Sequence, residues 1–211
     1  YSWNDQVTAI DNRFVSERVN QLRNWNINFI QGDILDKELI KKYCTDADII
    51  HHLAGVTAVP RVKSESNVAH DRKILQIGKD GTQNILDVIS DKCKIIMPST
   101  HVVYEGMDTV RKDIKENEKT FPVLAYGKSK DFNEKQLKQS GKNYIILRLG
   151  SVYGYSTDTA RIDIMANFFS KMAAQNETLK LFAGGRQLKS LVPLIDVARC
   201  FKFMEEKNDI C

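Results

Sequence analysis

The sequence predicts an α/β fold, a doubly wound parallel sheet with helices on both faces. Three observations predict it. Short apolar runs alternate with amphipathic segments through the first 150 residues, which is the rhythm of strands joined by helical crossovers. Two of the amphipathic segments carry helix punctuation, Asp36 at the start of one and Gly141 after the end of another. The polar residues that stand out (Asp11, His52, Ser99 with Thr100, Gly150 with Ser151) each end or follow an apolar run. In such sheets that is the carboxyl edge, where ligands bind.

Taken in order, residues 7–10 are a strand and 15–22 a short helix. Residues 28–30 are a second strand, followed by a helix over 36–43 that Asp36 caps. A third strand covers 48–51. The long stretch 64–90 is helical, with Val68, Ile74, Ile77, Ile85 and Ile89 as its apolar positions. Residues 95–97 form a fourth strand, 125–139 a helix that Gly141 stops, and 144–147 a fifth strand. After about residue 150 the rhythm changes: a helix over 162–174, a short strand at 179–182, a turn at Gly184-Gly185, a strand at 190–192 and a helix after Asp196. Residues 1–150 therefore read as one domain and 151–211 as part of a second region.

Composition sets the bounds. A chain of 211 residues, 42% hydrophobic and 27% charged, is an ordinary globular composition able to bury a core. The net charge of +4 comes without a basic run interleaved with aromatics, so no nucleic-acid partner is expected. Cys44, Cys93, Cys200 and Cys211 lie far apart without metal-ligand spacing and read as reduced thiols of a cytoplasmic protein. Neither His51 nor His52 has a partner at metal spacing, so no metal is expected. No apolar run approaches the ~18 residues of a membrane span. The chain opens Tyr1-Ser2-Trp3 with no signal-peptide pattern and no initiator Met, as a fragment or processed product would.

The chemistry centres on Tyr126-Gly127-Lys128-Ser129-Lys130. Tyr126 and Lys130 are four residues apart and share one helix face. A phenol titrates near ~10 and is a poor base at neutrality. An ammonium group nearby favours the phenolate and brings it towards useful acid–base range. Alone, the pair is equally well an exposed helix turn.

Its company makes it specific. Ile10-Asp11-Asn12, Gly32-Asp33-Ile34, His52-Leu53-Ala54-Gly55, Gly81-Thr82, Ser99-Thr100 with Val103-Tyr104, the Tyr126–Lys130 segment, Arg148 through Gly154 and Val192 to Ala198 occur in that order. Together the pattern resembles the extended short-chain dehydrogenase/reductases, in particular the nucleotide-sugar epimerase/dehydratase branch. The resemblance implies a Rossmann-like NAD-binding domain followed by the start of a small substrate-binding part. It also marks departures. The family's first strand and glycine-rich turn, G-x-x-G-x-x-G, are not in the sequence, and members continue beyond the position of Cys211. Gly78 stands where the family often has Asn, and Ser151 where many members have a substrate-facing Asn. His101-Val102 replaces the Asp-Glu pair of the sugar 4,6-dehydratases, so that reaction loses support.

The resemblance implies roles. Asp11, with Asn12 beside it, accepts hydrogen bonds from the adenosine ribose, and its charge favours NAD over NADP; a plain Asp-Asn turn is the alternative. Asp33 and Ile34 hold the adenine, or else Asp33 caps a helix. Leu53, Ala54 and Gly55 let backbone approach the cofactor closely, and His52 is a satisfied, half-buried side chain. Thr100 hydrogen-bonds the reacting oxygen, unless it only makes a turn after Pro98. Tyr126 is the acid–base group, and Lys130 holds the nicotinamide ribose and tunes Tyr126. Tyr104, Arg148 and Tyr153 support packing near the site. Ser151, Arg186 and Lys189 face the nucleotide-diphosphate sugar, basic groups suiting a diphosphate; a hairpin with solvated charges is the alternative for the last two.

The reading that follows is an NAD-dependent nucleotide-sugar epimerase, active as a homodimer paired through the two long helices. Hydride passes from a sugar carbon to the cofactor while Tyr126 takes the hydroxyl proton, and it returns from the other face. Two rivals stand beside it. One is an NAD(P)H-dependent reductase of a keto-sugar or other small carbonyl, suggested by the extra residue in Val103-Tyr104-Glu105-Gly106. The other is a non-catalytic cofactor-binding regulator or scaffold.

Overall fold

The computed structural model describes residues 5–56, 67–156, 161–186 and 188–207. Contacts divide the chain into two units, the first reaching to Arg148 and the second spanning Leu149–Lys207.

In the first unit β1 (Thr8–Asp11) lies parallel to β2 (Asn28–Gln31), with Asp11 opposite Gln31. Helix α1 (Ser16–Asn24) joins them and buries Val19. Helix α2 (Lys37–Cys44) starts at Asp36, whose carboxylate accepts the Leu39 N–H at 3.1 Å. The expected cap is therefore in place, and it turns Ile40 and Cys44, one helical turn apart, into the core. Strand β3 (Ile49–His51) runs parallel to β4 (Lys94–Thr100), which lies between β3 and β5 (Asn143–Leu149). Helix α3 (Val68–Leu86) and helix α4 (Ala125–Gln139) complete the unit.

The core forms where these helices meet the sheet. Ile95 and Met97 of β4 cluster with Ile40 and Cys44 of α2, Ile85 and Leu86 of α3, and Leu137 of α4. Side chains alternate along a strand, so Ser99 continues the Ile95–Met97 face and Thr100 belongs to the opposite set. Helices α3 and α4 cross closely at Gly78, where a Cβ would collide with the Ser129 hydroxyl. Asn133 closes the crossing by donating to the Gly78 carbonyl at 2.9 Å. The glycine that departs from the family pattern thus serves helix packing.

The α/β fold class stands, and several details differ from expectation. The long helix ends at Leu86 rather than residue 90 and is capped by Asn67, which accepts from Ala69 and His70 N–H groups; residues 64–66 lie outside the described residues. The parallel sheet is divided into β1–β2 and β3–β4–β5. In the doubly wound order 3-2-1-4-5-6, these strands take places 2 and 3, then 4 to 6. The break falls at place 1, a strand that none of the described residues forms.

In the second unit β6 (Ser151–Tyr153) pairs in parallel with β7 (Leu191–Pro193), with α5 (Met165–Ala174) and α6 (Leu194–Glu205). The strand expected at 179–182 is not formed. Its backbone has no partner strand among the described residues, and an extended segment needs one. A 3-10 turn, Phe182–Gly185, stands at its end, and Gly184 and Gly185 take φ of +66° and +71° as a turn there requires. Helix α6 begins at Leu194, two residues before Asp196. Asp196 lies in its first turn, where a negative charge suits the helix dipole, and pairs with Arg199 at 3.1 Å.

Candidate active site

Tyr126 and Lys130 sit on the first two turns of α4, as their spacing predicts. Leu124, at the N-cap, offers no side-chain cap. Glu105 supplies one from a distance: its Oε1 accepts the N–H groups of Val123 at 2.9 Å and Leu124 at 2.6 Å. Two backbone bonds clamp the same segment, Phe121 N to Val103 O at 2.7 Å and Gly106 N to Phe121 O at 2.9 Å. These tie the start of α4 to the 3-10 turn His101–Tyr104 that directly follows Thr100. Gly127 completes the contact, since a Cβ there would come within 3.2 Å of the Val102 carbonyl. A short, bonded path therefore joins the end of β4, carrying Thr100, to the helix turn carrying Tyr126.

Thr100 is 6% exposed, and its Oγ1 accepts the Val102 N–H at 3.2 Å. The turn offered as the alternative is present. It uses a lone pair and leaves the hydroxyl hydrogen to donate. Tyr126 is half-buried. Lys130 is 7% exposed, and burial pushes its ammonium down to about 8, against the opposing pull of Glu134's negative charge. Its charge acts in turn on His52. Burial first, and Lys130 second, push that imidazole down to about 3, so His52 is neutral.

His52 corrects an expectation. It is buried, not half-buried, and only one ring nitrogen is satisfied: Nε2 meets Thr82 Oγ1 at 2.8 Å, while Nδ1 has no partner. That bond also explains Gly81-Thr82. Ile34, just after β2, packs where a Gly81 Cβ would stand 2.8 Å from its Cγ2, and Thr82 holds His52, just after β3. One turn of α3 therefore links the carboxyl ends of the two sheets.

The residues expected to hold a cofactor gather at those ends. Asp11 accepts from the Arg13 N–H at 2.9 Å, and the Arg18 guanidinium lies 3.8 Å from its carboxylate, a neighbour the sequence did not reveal. Asn12 donates to Asp33 at 3.3 Å, and Asp33 accepts the Leu35 N–H at 2.9 Å, so the ends of β1 and β2 are joined by side chains. Asp36, not Asp33, caps α2. Ile34 is half-buried against Gly81, leaving part of its surface outward. Leu53, Ala54 and Gly55 are exposed after β3, Leu53 at 62%. A Cβ on Gly55 would meet nothing within 4 Å, so the protein's own packing does not demand a glycine there. An exposed turn with a glycine that internal packing does not require, following a buried His52 nitrogen left without a partner, fits a ligand seated at this edge.

In the second unit Ser151 opens β6 and is held by its N–H to the Ser190 carbonyl at 2.8 Å, next to Lys189 in sequence. The parallel register Ser151↔Leu191 brings Ser151 and Lys189 to the same end of this small sheet. Arg186 stands at the end of the Phe182–Gly185 turn, and both cations are exposed. Tyr104 and Arg148 support the first unit as read: they share a hydrogen bond, and the guanidinium lies 5.2 Å from the ring centre. Among the described residues no group of three or more His, Cys, Asp or Glu side chains could hold a metal ion, and no helix is long and apolar enough to cross a membrane. Sequence reading noted Glu105 only as an extra residue, without its capping role, and missed Glu134. The faint signal for Glu134 was its place one turn beyond Lys130 on the same helix face.

Parallel strands whose carboxyl ends gather acidic residues and an exposed glycine turn, beside a buried lysine one turn from a tyrosine, define a dinucleotide-binding α/β enzyme fold. The chain belongs to the NAD dependent epimerase/dehydratase family, which it matches over residues 3–210. It is similar to the UDP-glucose 4-epimerase of Azospirillum brasilense, 31% identical over 140 residues that cover 61% of this chain and 37% of that protein. Two solved structures share the fold. One is the UDP-glucose 4-epimerase of Thermotoga maritima with UDP-glucose, at TM-score 0.78 and 23% identity. The other is the UDP-glucuronic acid 4-epimerase of Bacillus cereus with UDP-glucuronic acid and NAD, at 0.76 and 21%. Each match covers 97% of this chain and 66% of the solved chain. The family is one of NAD-dependent enzymes, and the chain spans about two-thirds of these solved members.

Proposed function

We propose that the intact protein is an NAD-dependent nucleotide-sugar epimerase in which Tyr126 is the acid–base group. The observation that carries this reading is the buried Lys130 one turn from Tyr126, on a helix whose start is bonded to the turn after Thr100. Relatives named as epimerases of UDP-glucose and UDP-glucuronic acid support the substrate class. Asp11, Asn12, Asp33, Ile34 and residues 53–55 would hold the adenosine half of NAD, and Lys130 the nicotinamide ribose. Bound NAD would supply reversible hydride transfer at the sugar carbon. Tyr126 removes and returns the hydroxyl proton on that carbon, and Thr100 donates its hydrogen bond to the same oxygen, fixing it. Lys130, cationic below about 8, stabilises the phenolate. Ser151, Arg186 and Lys189 meet the nucleotide diphosphate.

The test is conversion of UDP-glucose or UDP-glucuronic acid by the intact protein, followed by NMR. The epimer should appear with no net consumption of added NADH or NADPH. Stoichiometric consumption would favour the reductase instead. The extra residue that suggested a reductase already has a structural account, because Glu105 caps α4.

Asp11 carries a second expectation. Its carboxylate repels a 2′-phosphate, while Arg18, 3.8 Å away, would attract one once the carboxylate is removed. Asp11→Ala should therefore narrow the preference for NAD over NADP, read by titrating both cofactors into the intact protein. An unchanged ratio would remove Asp11 from cofactor choice. We further infer a cytoplasmic homodimer. Cys44, Cys93 and Cys200 are free thiols, which suits a reducing compartment. Leu75 of α3 and Phe132 of α4 are large apolar side chains left exposed on the paired helices. Sedimentation at micromolar concentration should give twice the monomer mass.

A further inference from the structure

Glu134 is 2% exposed, the most deeply buried acidic residue among those described. It lies on α4 one turn beyond Lys130. Its Oε1 accepts from the Ser99 hydroxyl at 2.5 Å and from Arg148 Nε at 2.9 Å, while Oε2 accepts from the Arg148 terminal nitrogen at 2.5 Å. Arg148, on β5, also donates to the Glu116 carbonyl at 2.8 Å and to the Tyr104 hydroxyl, which donates to the Lys115 carbonyl at 3.2 Å. One carboxylate thus gathers α4, β4, β5 and the loop between Thr100 and α4. Ser99 is the residue directly before Thr100.

We propose that Glu134 is a positioning residue of the Thr100–Tyr126–Lys130 site, locking the helix that carries the tyrosine and lysine to the strand end that carries the threonine. Its bidentate bond to Arg148 fixes its orientation, leaving the Ser99 bond to set how far the end of β4 stands from α4. A displacement of the order of 1 Å between acid–base groups can cost about 100-fold in rate, so such a lock has catalytic weight. The carboxylate also acts on Lys130 through space, helping keep it protonated against burial. Among the described residues, the charged or titratable groups around this pair include Tyr126 on the same helix, His52 after β3, Arg148 on β5, Tyr104 of the turn after Thr100 and Lys138, 3.7 Å from Glu134. His52 is neutral, so Glu134 is the anion that acts on Lys130.

This inference rests on the acid–base reading above, and its test is chosen to separate the two. In the intact protein, the Lys130 side chain is titrated by NMR, its signal assigned with Lys130→Arg, in the parent and in Glu134→Gln. The variant should give up the Lys130 proton at a lower pH than the parent. With UDP-glucose and NAD, kcat should fall about 10–100-fold with KM for the sugar little changed. Pairing Glu134→Gln with Arg148→Met removes the unpaired guanidinium. It should recover thermal stability without recovering kcat, whereas a purely structural ion pair would recover both. An unmoved Lys130 titration, or recovery of kcat in the double variant, overturns the proposal. If Glu134→Gln fails to fold, Ser99→Ala decides: it removes one bond, and an unchanged kcat would overturn the lock. Should the parent turn over no nucleotide sugar, the proposed function fails, while the Lys130 titration still tests the link to Glu134.

Discussion

Tyr126→Phe lowers turnover of the nucleotide sugar by about 10²–10⁴-fold, the usual size of a general acid–base contribution. The substitution deletes one oxygen and keeps a ring of the same shape at a half-buried place in the first turn of α4. The fold should therefore be untouched, and NAD affinity should hardly change, because the phenol contributes little binding. Thr100→Val is the milder companion. It removes the hydrogen that the hydroxyl can donate, together with the bond from the Val102 N–H. Turnover should fall with cofactor affinity preserved. A Tyr126→Phe enzyme at parental turnover would remove the tyrosine from the chemistry.

Lys130→Ala does two kinds of harm. Losing a charge-assisted bond of roughly 1.5–3 kcal/mol to the nicotinamide ribose weakens NAD about 10–100-fold. It also moves the acid limb of the pH–rate profile upward, since a phenol without a neighbouring cation holds its proton to higher pH and reaches its basic form later. The same lysine burdens the fold. In the cofactor-free protein it releases its proton near about 8, against an ordinary value of 10.5 in the unfolded chain. Between those values the unfolded state binds more protons, so stability rises with pH across that window. Below it, the full burial cost of roughly 3 kcal/mol is felt, at about 1.4 kcal/mol per unit. Lys130→Met, which keeps most of the bulk, should be more stable than the parent at pH 7 and lose that advantage by pH 11. Denaturant unfolding at the two values reads the difference. An equal gap at both would show that burial of the ammonium is not what depresses Lys130.

Much of this was legible because it is written locally. Asp36 caps α2, Gly141 follows α4 with φ of +69°, and the four-residue spacing of Tyr126 and Lys130 puts both on one face. These depend on nearest neighbours along the chain. What escaped depends on neighbours in space. Glu134 reads as an ordinary charge on a helix and Arg148 as a lone cation in an apolar strand; only the approach of β5 to α4 makes them a buried pair. Arg18 lies seven residues from Asp11 in sequence but 3.8 Å from its carboxylate. The false strand at 179–182 shows the reverse error, since an apolar run has strand character only when another strand offers it hydrogen bonds. His52 was misjudged because a histidine after a strand gives no sign of how deeply α3 will cover it.

The central claim is that Tyr126 moves only the hydroxyl proton, while the hydrogen on the reacting carbon never meets solvent. Conversion of UDP-glucose by the intact protein in heavy water tests it most directly, with NMR of the inverted centre in the product. The account predicts that this carbon keeps its original hydrogen. Deuterium at the inverted carbon would contradict it, placing the proton transfer at carbon rather than at oxygen.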